Sequence, residues 1–567
     1  MDGNAILFTS ERYGMRSHAS WGSQDDALLV FMNQDSYDKY RLSKEDYELQ
    51  KELEKEQKKD ATPAGDKKDS KADDKKEEVK AINVELDGIS DRIVRLTPNS
   101  ASMSGAILDK EGENLFYFAS FEGGYDLWKM DLRKRETKLL NKMNAGFANM
   151  ELSGDGKSIF IIGSANMQKM EPGSGKLTPI TFNAEMKLDL AAEREYMYNH
   201  VYQQVKQRLF DPNYFGVDWE GYVKAYRKFL PHISNNYDFQ ELLSELLGEL
   251  NVSHSGGRYS PTLSGDATAA LGLLYDWSYT GKGLKVSEVI AKGPFDHANS
   301  KVKAGDIVEK IDNIEITDDT NLASILNNKA RKKTLVSLYN TQRKERWEEV
   351  ILPITQSAQN TLLYERWVKQ RAADVERWSN GRLGYVHLQS MNDGSYRTIY
   401  SDLLGKYNMK EGIVIDTRWN GGGRLHEDIE VLFSGEKYLE QVIREVVACE
   451  MPSRRWNRPS IMVTCEANYS NAHGTPWVYK HMNLGKLVGA PVPGTMSSVS
   501  WETMQDPTMV FGMPIVGFRQ ADGTYLENTQ LEPDILVLND PETVAKGEDT
   551  QLRTAVQELL KEIDAQK

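Results

Sequence analysis

The chain has 567 residues, of which 40% are hydrophobic, and it carries a formal net charge of −14 with a pI near 5.4. This length accommodates about three or four domains of roughly 150 residues each. The acidic balance argues against nucleic acid as a partner, because phosphate binding needs a basic surface. No apolar run in the sequence approaches the ~20 residues that a membrane-spanning helix needs. Composition therefore predicts a multidomain protein that binds neither nucleic acid nor membrane.

Cysteine and histidine are too sparse for a disulfide framework or a metal site. The two cysteines, Cys449 and Cys465, exclude a cysteine-rich zinc site and are expected to be core thiols. The nine histidines show no HExxH or comparable spacing, so no metal site is expected. The N-terminus lacks a basic segment followed by an apolar one. The expected location is cytoplasmic, or periplasmic if a longer parent chain carries a signal peptide.

Residues 1–180 are predicted to form short β-strands. The segments that begin at Lys110 and Ser153 each contain a charged Gly turn, an apolar strand, a second strand and a polar hairpin. Their turn glycines, Gly112 and Gly156, lie about 44 residues apart, close to the repeat of a β-propeller blade. The opening AILFTSERYGMRSH resembles a third copy. Because a closed propeller takes at least about four blades, the chain is expected to start inside a larger propeller; a small β-sandwich is the alternative.

A highly charged insertion interrupts this all-β region. Residues 50–80 read QKELEKEQKKDATPAGDKKDSKADDKKEEVK and contain almost no large apolar side chain. Such a segment cannot bury enough surface to offset the entropy that is lost on ordering. The insertion is therefore predicted to be disordered and solvated.

The period of the apolar residues then changes from that of a strand to that of a helix. Residues 181–260 contain amphipathic helices, and the last runs into GELNVSHSGG, which places Ser253 and His254 at a helix C-terminal turn. Residues 261–357 resemble a PDZ domain through the apolar segment LGLLYDW, the AGD turn at Ala304–Asp306 and the strand after it. PDZ domains bind extended C-termini by strand addition. A small mixed sheet without a ligand is the alternative.

Residues 358–567 alternate apolar strands with helices, which is the signature of an α/β domain. The segment DTRWNGGG, from Asp416 to Gly423, follows the buried strand GIVID, and its three glycines leave backbone amides accessible to a ligand. Such amides can stabilise an oxyanion, with an effect of about 10²–10³ on the rate per donor. A phosphate loop is disfavoured because no Lys-Ser/Thr follows the glycines. A tight structural turn is the alternative.

Ser470 follows another buried strand and precedes a predicted helix, at the edge of the sheet where α/β proteins form their sites. Taken alone, a serine at such a place is more often an N-cap. Together with His254, Ser253 and Glu527, however, it supplies a nucleophile, a base and groups that can orient the base. The wide separation of these residues in sequence means that only the fold can bring them together.

Seven segments occur in a fixed order along residues 185–567: FDPNYFGVDW, GELNVSH, the PDZ-like insertion, DTRWNGGG, ANYSNAHG, LGKLVGAPVPGT and ENTQLEPDI. In this order they resemble the tricorn protease family, a branch of the tail-specific peptidases. The resemblance implies that Ser470 is the nucleophile and His254 the general base. It also implies that Ser253 is the second serine of a catalytic tetrad and that Glu527 is the acid that completes it.

The same resemblance implies further site residues and partners. The backbone amides of Gly423 and Asn471 would form the oxyanion hole. The acidic residue with which the family selects basic P1 side chains would fall near Glu440 and Gln441. Peptides are the implied substrates, the implied assembly is a homo-oligomer, and no cofactor is implied.

The fold class expected from these patterns is multidomain: a partial all-β propeller, a helical segment, a PDZ-like domain and a C-terminal α/β catalytic domain. The expected function is hydrolysis of short peptides by a serine peptidase. One alternative is a non-catalytic scaffold that binds peptides through the PDZ-like module and the propeller. The other is a Ser-Lys processing protease, which would need Lys486 near Ser470, since PVPGTMSS (Pro491–Ser498) contains no lysine where the related branch has one.

Overall fold

A computed structural model describes most of the chain, namely residues 3–19, 22–60, 81–163, 166–261 and 265–567. The chain divides into two compact units, Met1–Lys187 and Leu188–Lys567. Among the described residues, none of the helices combines the length and the apolar character that crossing a membrane requires. Each unit is described by itself below.

The first unit is built from antiparallel β-sheets and two helices. Its described strands are β1 (Ala5–Ser10), β2 (Asp26–Phe31), β3 (Ile93–Arg95), β4 (Ser102–Leu108), β5 (Asn114–Ser120), β6 (Tyr125–Asp131), β7 (Glu136–Ala145), β8 (Ala148–Leu152), β9 (Ile159–Gly163), β10 (Met167–Met170) and β11 (Leu177–Ile180). Between β2 and β3 come the helices α1 (Gln34–Arg41) and α2 (Lys44–Asp60). Strands β1 to β3 form a three-stranded sheet, whereas β4 to β7 and β8 to β11 form two four-stranded sheets in which each strand pairs with the next.

The three sheets stack in series and enclose two cores. The core between the first two sheets includes Leu29 and Tyr117, and the core between the second and third includes Phe116, Phe118 and Ile161. Successive side chains of β5 therefore enter opposite cores, as alternation along a strand requires. A β-sandwich would have one core between two sheets. The serial stacking is that of propeller blades.

The turns that precede β5 and β9 explain the sequence repeat. Gly112 has a φ of 69° and Gly156 a φ of 75°, a left-handed conformation that favours glycine because it has no Cβ. The Gly112 amide donates to the Asp109 carbonyl at 3.0 Å, and the Gly156 amide donates to the Ser153 carbonyl at 2.8 Å. The glycines recur because each blade needs the same tight turn before its second strand.

The prediction of disorder is wrong for the first part of the charged insertion. Helix α2 continues to Asp60, so residues 50–60 are helical, and residues 61–80 lie outside the described residues. The segment is rich in Glu, Lys, Gln and Leu, which have a high helix propensity. Lys51 also forms an ion pair with Glu113, at 2.5 Å, that ties the helix to the turn before β5. Helix propensity and this ion pair therefore stabilise the helix where little surface is buried.

The second unit combines helices with several sheets. Its described helices are α3 (Leu190–Arg208), α4 (Trp219–Tyr226), α5 (Asn236–Gly248), α6 (Leu322–Leu326), α7 (Gln356–Trp378), α8 (Asp393–Ser401), α9 (His426–Phe433), α10 (Asn471–His481), α11 (Pro541–Ala545) and α12 (Thr550–Ala565). Its described strands are β12 (Gly256–Tyr259), β13 (Ala269–Ala270), β14 (Leu273–Tyr275), β15 (Leu284–Val289), β16 (Ile307–Ile311), β17 (Ile314–Glu315), β18 (Thr334–Asn340), β19 (Glu345–Ile351), β20 (Ile354–Thr355), β21 (Leu383–His387), β22 (Gly412–Asp416), β23 (Leu439–Ile443), β24 (Val446–Met451), β25 (Ser460–Thr464), β26 (Lys486–Gly489), β27 (Ser497–Thr503), β28 (Met509–Gly517) and β29 (Ile535–Leu536).

Helices α3 to α5 share their core with a hairpin from the C-terminal part of the chain. Phe239 and Leu246 of α5 pack in one cluster with Phe511 of β28, and β12 pairs antiparallel with β28. The helical segment is therefore not an independent packing unit. Because β12 follows Ser253 and His254 directly, this pairing fixes their turn against the β27–β28 hairpin.

The PDZ-like part follows as an insertion with its own core. Its strands have the order β14-β15-β16-β18-β19, with β17 beside β16, and its core includes Leu271, Val308 and Leu338. In the AGD turn the buried Asp306 carboxylate accepts a hydrogen bond from the Lys303 amide at 2.8 Å. Strands β13 and β20 pair where the chain enters and leaves the insertion.

A five-stranded parallel sheet, in the order β21-β22-β25-β26-β29, forms the C-terminal α/β domain. Helices α7 and α12 cover one face, and α8, α9 and α10 cover the other. The long helix α7 at the start of this domain was missed by the sequence analysis. Strands β22 and β25 run side by side and end at Asp416 and Thr464. The DTRWNGGG segment and the Ser470 segment therefore leave the sheet at the same carboxyl edge, where α/β proteins bind their ligands.

A buried charge cluster anchors this edge. The Arg418 guanidinium donates to Asp416 at 2.7 Å and to Asp549 at 2.8 and 2.9 Å. The hydroxyl of Tyr385 donates to Asp416 at 2.9 Å, and Asp549 caps α12 by accepting from the Leu552 amide at 3.0 Å. Although burial acts to raise it, the pKa of Asp549 lies below its ordinary value because Arg418 stabilises the carboxylate. Removing one partner from such a cluster is costly, since the remaining charge stays buried.

We expect Asp549→Ala to lower the free energy of unfolding of the second unit by about 3–5 kcal/mol, because Arg418 would lose a buried counter-ion. The control is Asp540→Ala, which removes an exposed cap of α11 whose carboxylate accepts from the Thr543 amide at 2.9 Å. The control should change the free energy of unfolding much less. Urea denaturation followed by tryptophan fluorescence measures both variants, and equal effects would contradict an anchoring role of the cluster.

Candidate active site

Ser470 occupies a strained turn between β25 and α10. Its φ of 58° and ψ of −125° lie in a region that residues other than glycine rarely adopt. Its side chain makes no capping hydrogen bond to α10, so the N-cap interpretation does not apply. The Ser470 amide donates to the Thr495 hydroxyl at 2.8 Å, which holds the turn in place. A serine on a strained strand-to-helix turn presents its hydroxyl at the edge of the sheet, as the nucleophile of a hydrolase does.

The glycine loop after β22 packs directly against this turn. A Cβ added to Gly422, whose φ is 97°, would lie 2.5 Å from the Ser470 Cβ and 2.8 Å from the Tyr469 carbonyl oxygen. Only glycine permits this approach. The Tyr469 amide donates to the Asn420 carbonyl at 3.0 Å, which joins the two loops. The loop is therefore shaped to contact the serine turn and is more than a connection between strand and helix.

Two backbone amides beside Ser470 are available as donors. The Gly422 carbonyl accepts from the Met391 amide at 2.9 Å, and the Met391 carbonyl accepts from the Arg424 amide at 2.8 Å. The Gly423 amide between them finds no acceptor among the described residues, and neither does the Asn471 amide at the start of α10. Unpaired N–H groups at a helix N-terminus favour negative charge. Two such donors next to a serine are what an oxyanion hole requires.

The side chain of Asn471 connects the serine turn with the end of the glycine loop through hydrogen bonds. Its Oδ1 accepts from the backbone amides of Leu425 and His426, at 2.7 and 3.1 Å, and its Nδ2 lies 2.8 Å from His426 Nδ1. Helix α9 has no capping side chain of its own at Leu425. Asn471 therefore caps α9 from the neighbouring loop, and the position of the glycine loop depends on it.

Ser253, His254 and Glu527 lie in one hydrogen-bonded cluster. The Ser253 amide donates to Glu527 Oε1 at 2.7 Å, and the Ser253 hydroxyl donates to Glu527 Oε2 at 2.9 Å. The same hydroxyl lies 2.7 Å from His254 Nδ1. A fourth member, Ser497, has its hydroxyl 3.0 Å from His254 Nδ1 and 3.0 Å from the Ser253 hydroxyl. Sequence reasoning missed Ser497, because MSSVS reads as an ordinary start of a strand.

Tyr469 connects this cluster with the serine turn. The His254 amide donates to the Tyr469 hydroxyl at 2.7 Å, and the two ring centroids are 4.8 Å apart. Since Tyr469 precedes Ser470, the imidazole lies next to the turn that carries the serine. Within the described ranges, no hydrogen bond joins the His254 imidazole to the Ser470 hydroxyl. Such bonds are often long in the absence of substrate and tighten when it binds.

Burial sets the charge states of the cluster. It lowers the pKa of His254 to about 4 and raises the pKa of Glu527, against the hydrogen bonds from Ser253 and Ser497 that stabilise the carboxylate. An ionised carboxylate only accepts hydrogen bonds. The Ser253 hydroxyl therefore donates to Glu527 and accepts from His254 Nδ1–H, which leaves the lone pair on Nε2. This tautomer is the one that a general base needs.

The predicted specificity residues lie apart from this cluster. Glu440 and Gln441 belong to the solvent-exposed β23–β24 hairpin. Glu440 pairs with Lys437 at 2.5 Å, and Gln441 accepts from the thiol of Cys449 at 3.2 Å. In the described part of the chain, no hydrogen bond or ion pair joins either residue to the cluster or to Ser470. Cys465 is a buried thiol as expected, whereas Cys449 is only half-buried, because its hairpin packs against little else.

Lys486 is at the wrong end of the sheet for a Ser-Lys dyad. It is the first residue of β26 and pairs with Ile461 near the amino end of β25, whereas Ser470 follows the carboxyl end of β25. Its ammonium group lies 3.7 Å from Glu558 of α12. The dyad alternative is therefore excluded. Among the described residues, no group of three or more His, Cys, Asp and Glu side chains is arranged to hold a metal ion.

Known proteins match this chain in several parts. Peptidase family S41 matches residues 382–537, the Tricorn protease C1 domain matches residues 190–248 and a PDZ domain matches residues 264–351. The putative tricorn-like protease C-terminal subunit of Sulfurisphaera tokodaii is 24% identical over 514 residues, which cover 85% of this chain and 58% of the relative. These matches confirm the resemblance to the tricorn protease family that the order of the motifs predicts. Tricorn protease homolog 1 of Streptomyces coelicolor is also 24% identical, over 83% of this chain and 47% of its own length.

The tricorn fold extends over the chain as well. A crystal structure of the tricorn protease matches with a TM-score of 0.75 at 16% identity, and the match covers 99% of this chain and 54% of that one. This match, with the PDZ and S41 regions, confirms the predicted multidomain fold class. The chain spans about half the length of the tricorn relatives that it matches.

We expect Gly422→Ala to slow covalent labelling of Ser470 by a fluorophosphonate at least about 100-fold, because the added Cβ would displace the serine turn, and a shift of ~1 Å at a reacting centre costs roughly that factor. Gly421→Ala is the matched control, since a Cβ there meets no atom within 4 Å. Its labelling rate should stay close to that of the original chain. Time courses of in-gel fluorescence measure the rates, and equal rates in both variants would contradict the tight packing.

Proposed function

We propose that the chain is a serine peptidase that hydrolyses short peptides, with Ser470 as the nucleophile and His254 as the general base. The observation that carries this proposal is the strained Ser470 turn, which packs on Gly422 next to two unpaired backbone amides. A nucleophile and oxyanion donors held against each other can serve the same carbonyl group. The similarity to tricorn proteases supports peptide bonds as the substrate.

The reaction follows from these positions. His254 Nε2 takes the hydroxyl proton of Ser470 while Ser470 Oγ attacks the scissile carbonyl carbon. The amides of Gly423 and Asn471 donate to the oxyanion of the tetrahedral intermediate. As the intermediate collapses, the imidazolium gives the proton to the leaving amine, and the first product departs. Water then attacks the acyl carbon while His254 takes a proton from the water. Collapse of the second intermediate breaks the bond to Ser470 Oγ, which regains this proton from His254, and releases the carboxylic acid product.

Glu527 acts on the base through a hydroxyl group. When His254 becomes an imidazolium, its Nδ1–H donates to the Ser253 oxygen, and the Ser253 hydroxyl donates to the Glu527 carboxylate. The negative charge thus stabilises the imidazolium without touching it. This is the role that a buried aspartate fills in triads in which the acid contacts the histidine directly.

Further expectations rest on the family. A homo-oligomer and a PDZ-like part that positions peptide ends belong to the proposal, as does a role of Glu440 or Gln441 in the choice of P1 side chain. The cytoplasmic location also stays a prediction. Cleavage of a peptide library, mapped by mass spectrometry, reports the P1 preference directly.

We expect Ser470→Ala to abolish hydrolysis of fluorogenic peptides and labelling by a serine-directed phosphonate, because it removes the nucleophile. The control is Ser401→Ala, which changes an exposed serine of α8 and should leave both signals unchanged. Undiminished hydrolysis in Ser470→Ala would refute the proposal. A chain that binds peptides but neither cleaves them nor reacts with the phosphonate would establish the scaffold alternative.

The pH dependence of kcat/KM provides a separate test. Since burial lowers the pKa of His254 to about 4, the imidazole stays unprotonated where an ordinary histidine, with a pKa of about 6.5, is charged. Activity should therefore persist to about pH 5.5 and fall only as the pH approaches the coupled pKa values of His254 and Glu527. Burial raises the pKa of Glu527, and its protonation as the pH falls removes an acceptor of hydrogen bonds. A half-maximal point at pH 6.5 or above would contradict the burial argument.

A further inference from the structure

We propose that Ser497 is a second hydroxyl between Glu527 and His254, so that the base is oriented by a pair of serines in parallel. This inference rests on the proposed function, because it assigns a positioning residue to the same site. Neither the motif order nor the spacing of the sequence indicates it.

The geometry around His254 Nδ1 carries the inference. This nitrogen lies 2.7 Å from the Ser253 hydroxyl and 3.0 Å from the Ser497 hydroxyl, and the two hydroxyls lie 3.0 Å from each other. Ser253 donates to Glu527 at 2.9 Å, and the Ser497 side chain acts to lower the pKa of the Glu527 carboxyl, as a neighbouring hydroxyl donor does. Two hydroxyl groups thus contact one nitrogen, and the second lies beside the hydroxyl that donates to the carboxylate.

The count of hydrogen atoms is consistent with two parallel routes. Each serine hydroxyl has one hydrogen to donate and two lone pairs that accept, whereas a carboxylate accepts at both oxygens. Ser253 and Ser497 can therefore both donate to Glu527 and both accept from the single His254 Nδ1–H. The Ser253 hydroxyl also lies 3.4 Å from the Thr495 carbonyl oxygen, a competing acceptor. When Ser253 turns towards Thr495, Ser497 still connects His254 to the acid.

Backbone pairing holds Ser497 in position independently of Ser253. Ser497 begins β27 and is only 3% exposed, and it pairs with Gly517 of β28. Strand β28 in turn pairs with β12, which begins at Gly256, two residues after His254. The three strands therefore set the distance between Ser497 and the imidazole. The sheet therefore fixes the backbone positions from which the two side chains meet.

A double-mutant cycle in the full chain tests the parallel arrangement. We expect Ser253→Ala and Ser497→Ala each to lower kcat/KM by about tenfold or less, since one hydroxyl remains to bind His254 Nδ1–H. The double variant should lose much more than the product of the two, approaching the ~10⁴-fold loss that follows when the orienting acid of a triad is disabled. Additive losses, or no effect of Ser497→Ala in either background, would overturn the inference.

Two neighbouring substitutions separate the hydroxyl from the packing. Ser497→Thr keeps the hydroxyl and should restore most of the activity that Ser497→Ala loses in the Ser253→Ala background. Ser498→Ala changes the next residue of β27, whose side chain points to the other side of the strand, and should leave kcat/KM unchanged. Equal defects in Ser497→Thr and Ser497→Ala would mean that the site tolerates no change there, which would overturn a role of the hydroxyl.

A measurement without turnover distinguishes failure of this inference from failure of the proposed function. In protein labelled with ¹⁵N-histidine, the His254 signals are assigned by their loss in His254→Gln. Ser497→Ala should shift the Nδ1 signal and lower the pKa of His254 further, because the imidazolium loses an acceptor; Ser498→Ala should do neither. An unchanged Nδ1 signal in Ser497→Ala would overturn the contact itself. Absence of Ser470-dependent hydrolysis would overturn the proposed function instead.

Discussion

The contact of Gly422 with Ser470, in which no Cβ intervenes, is the constraint on which the candidate site depends. Strands β22 and β25 end side by side. The loops that follow them approach so closely that one of them needs a glycine, which has no side chain, at the contact. The ion pair of buried Arg418 with Asp416 fixes the start of the glycine loop, and the Thr495 hydroxyl accepts a hydrogen bond from the Ser470 amide. The proposed oxyanion donors, the cap that Asn471 provides for α9 and the position of Ser470 all follow from this approach.

Much of the fold could be predicted from local sequence patterns, whereas the approach of the site residues to each other could not. Two turn glycines indicate the blade repeat, and alternating strands and helices indicate the α/β domain. Both patterns recur regularly in the sequence. Ser253 and Glu527 meet across 274 positions through strand pairing that no local pattern encodes. Ser497 has no signal at all, since a serine that begins a buried strand is commonplace. The helix at residues 50–60 was not predicted, because helix propensity and an ion pair stabilise it with little burial of apolar surface.

The proposed base, His254, belongs to a different part of the second unit from the proposed nucleophile, Ser470. Ser470 and the glycine loop depend on the parallel sheet, whereas His254 depends on the core that α3 to α5 share with β28. The hydrogen bond from the His254 amide to the Tyr469 hydroxyl joins the two parts. A movement of the helical core relative to the parallel sheet would therefore change the distance between His254 and Ser470.

The short pairing of β13 with β20 has a consequence for how such chains can diversify. Ala269 and Thr355 face each other across this ladder, so the PDZ-like insertion starts and finishes one strand spacing apart, about 4.8 Å. A module whose ends are adjacent can be replaced, enlarged or deleted without altering the distance between the segments on either side. Exchange of the PDZ-like insertion would therefore leave the turn that carries His254 in place.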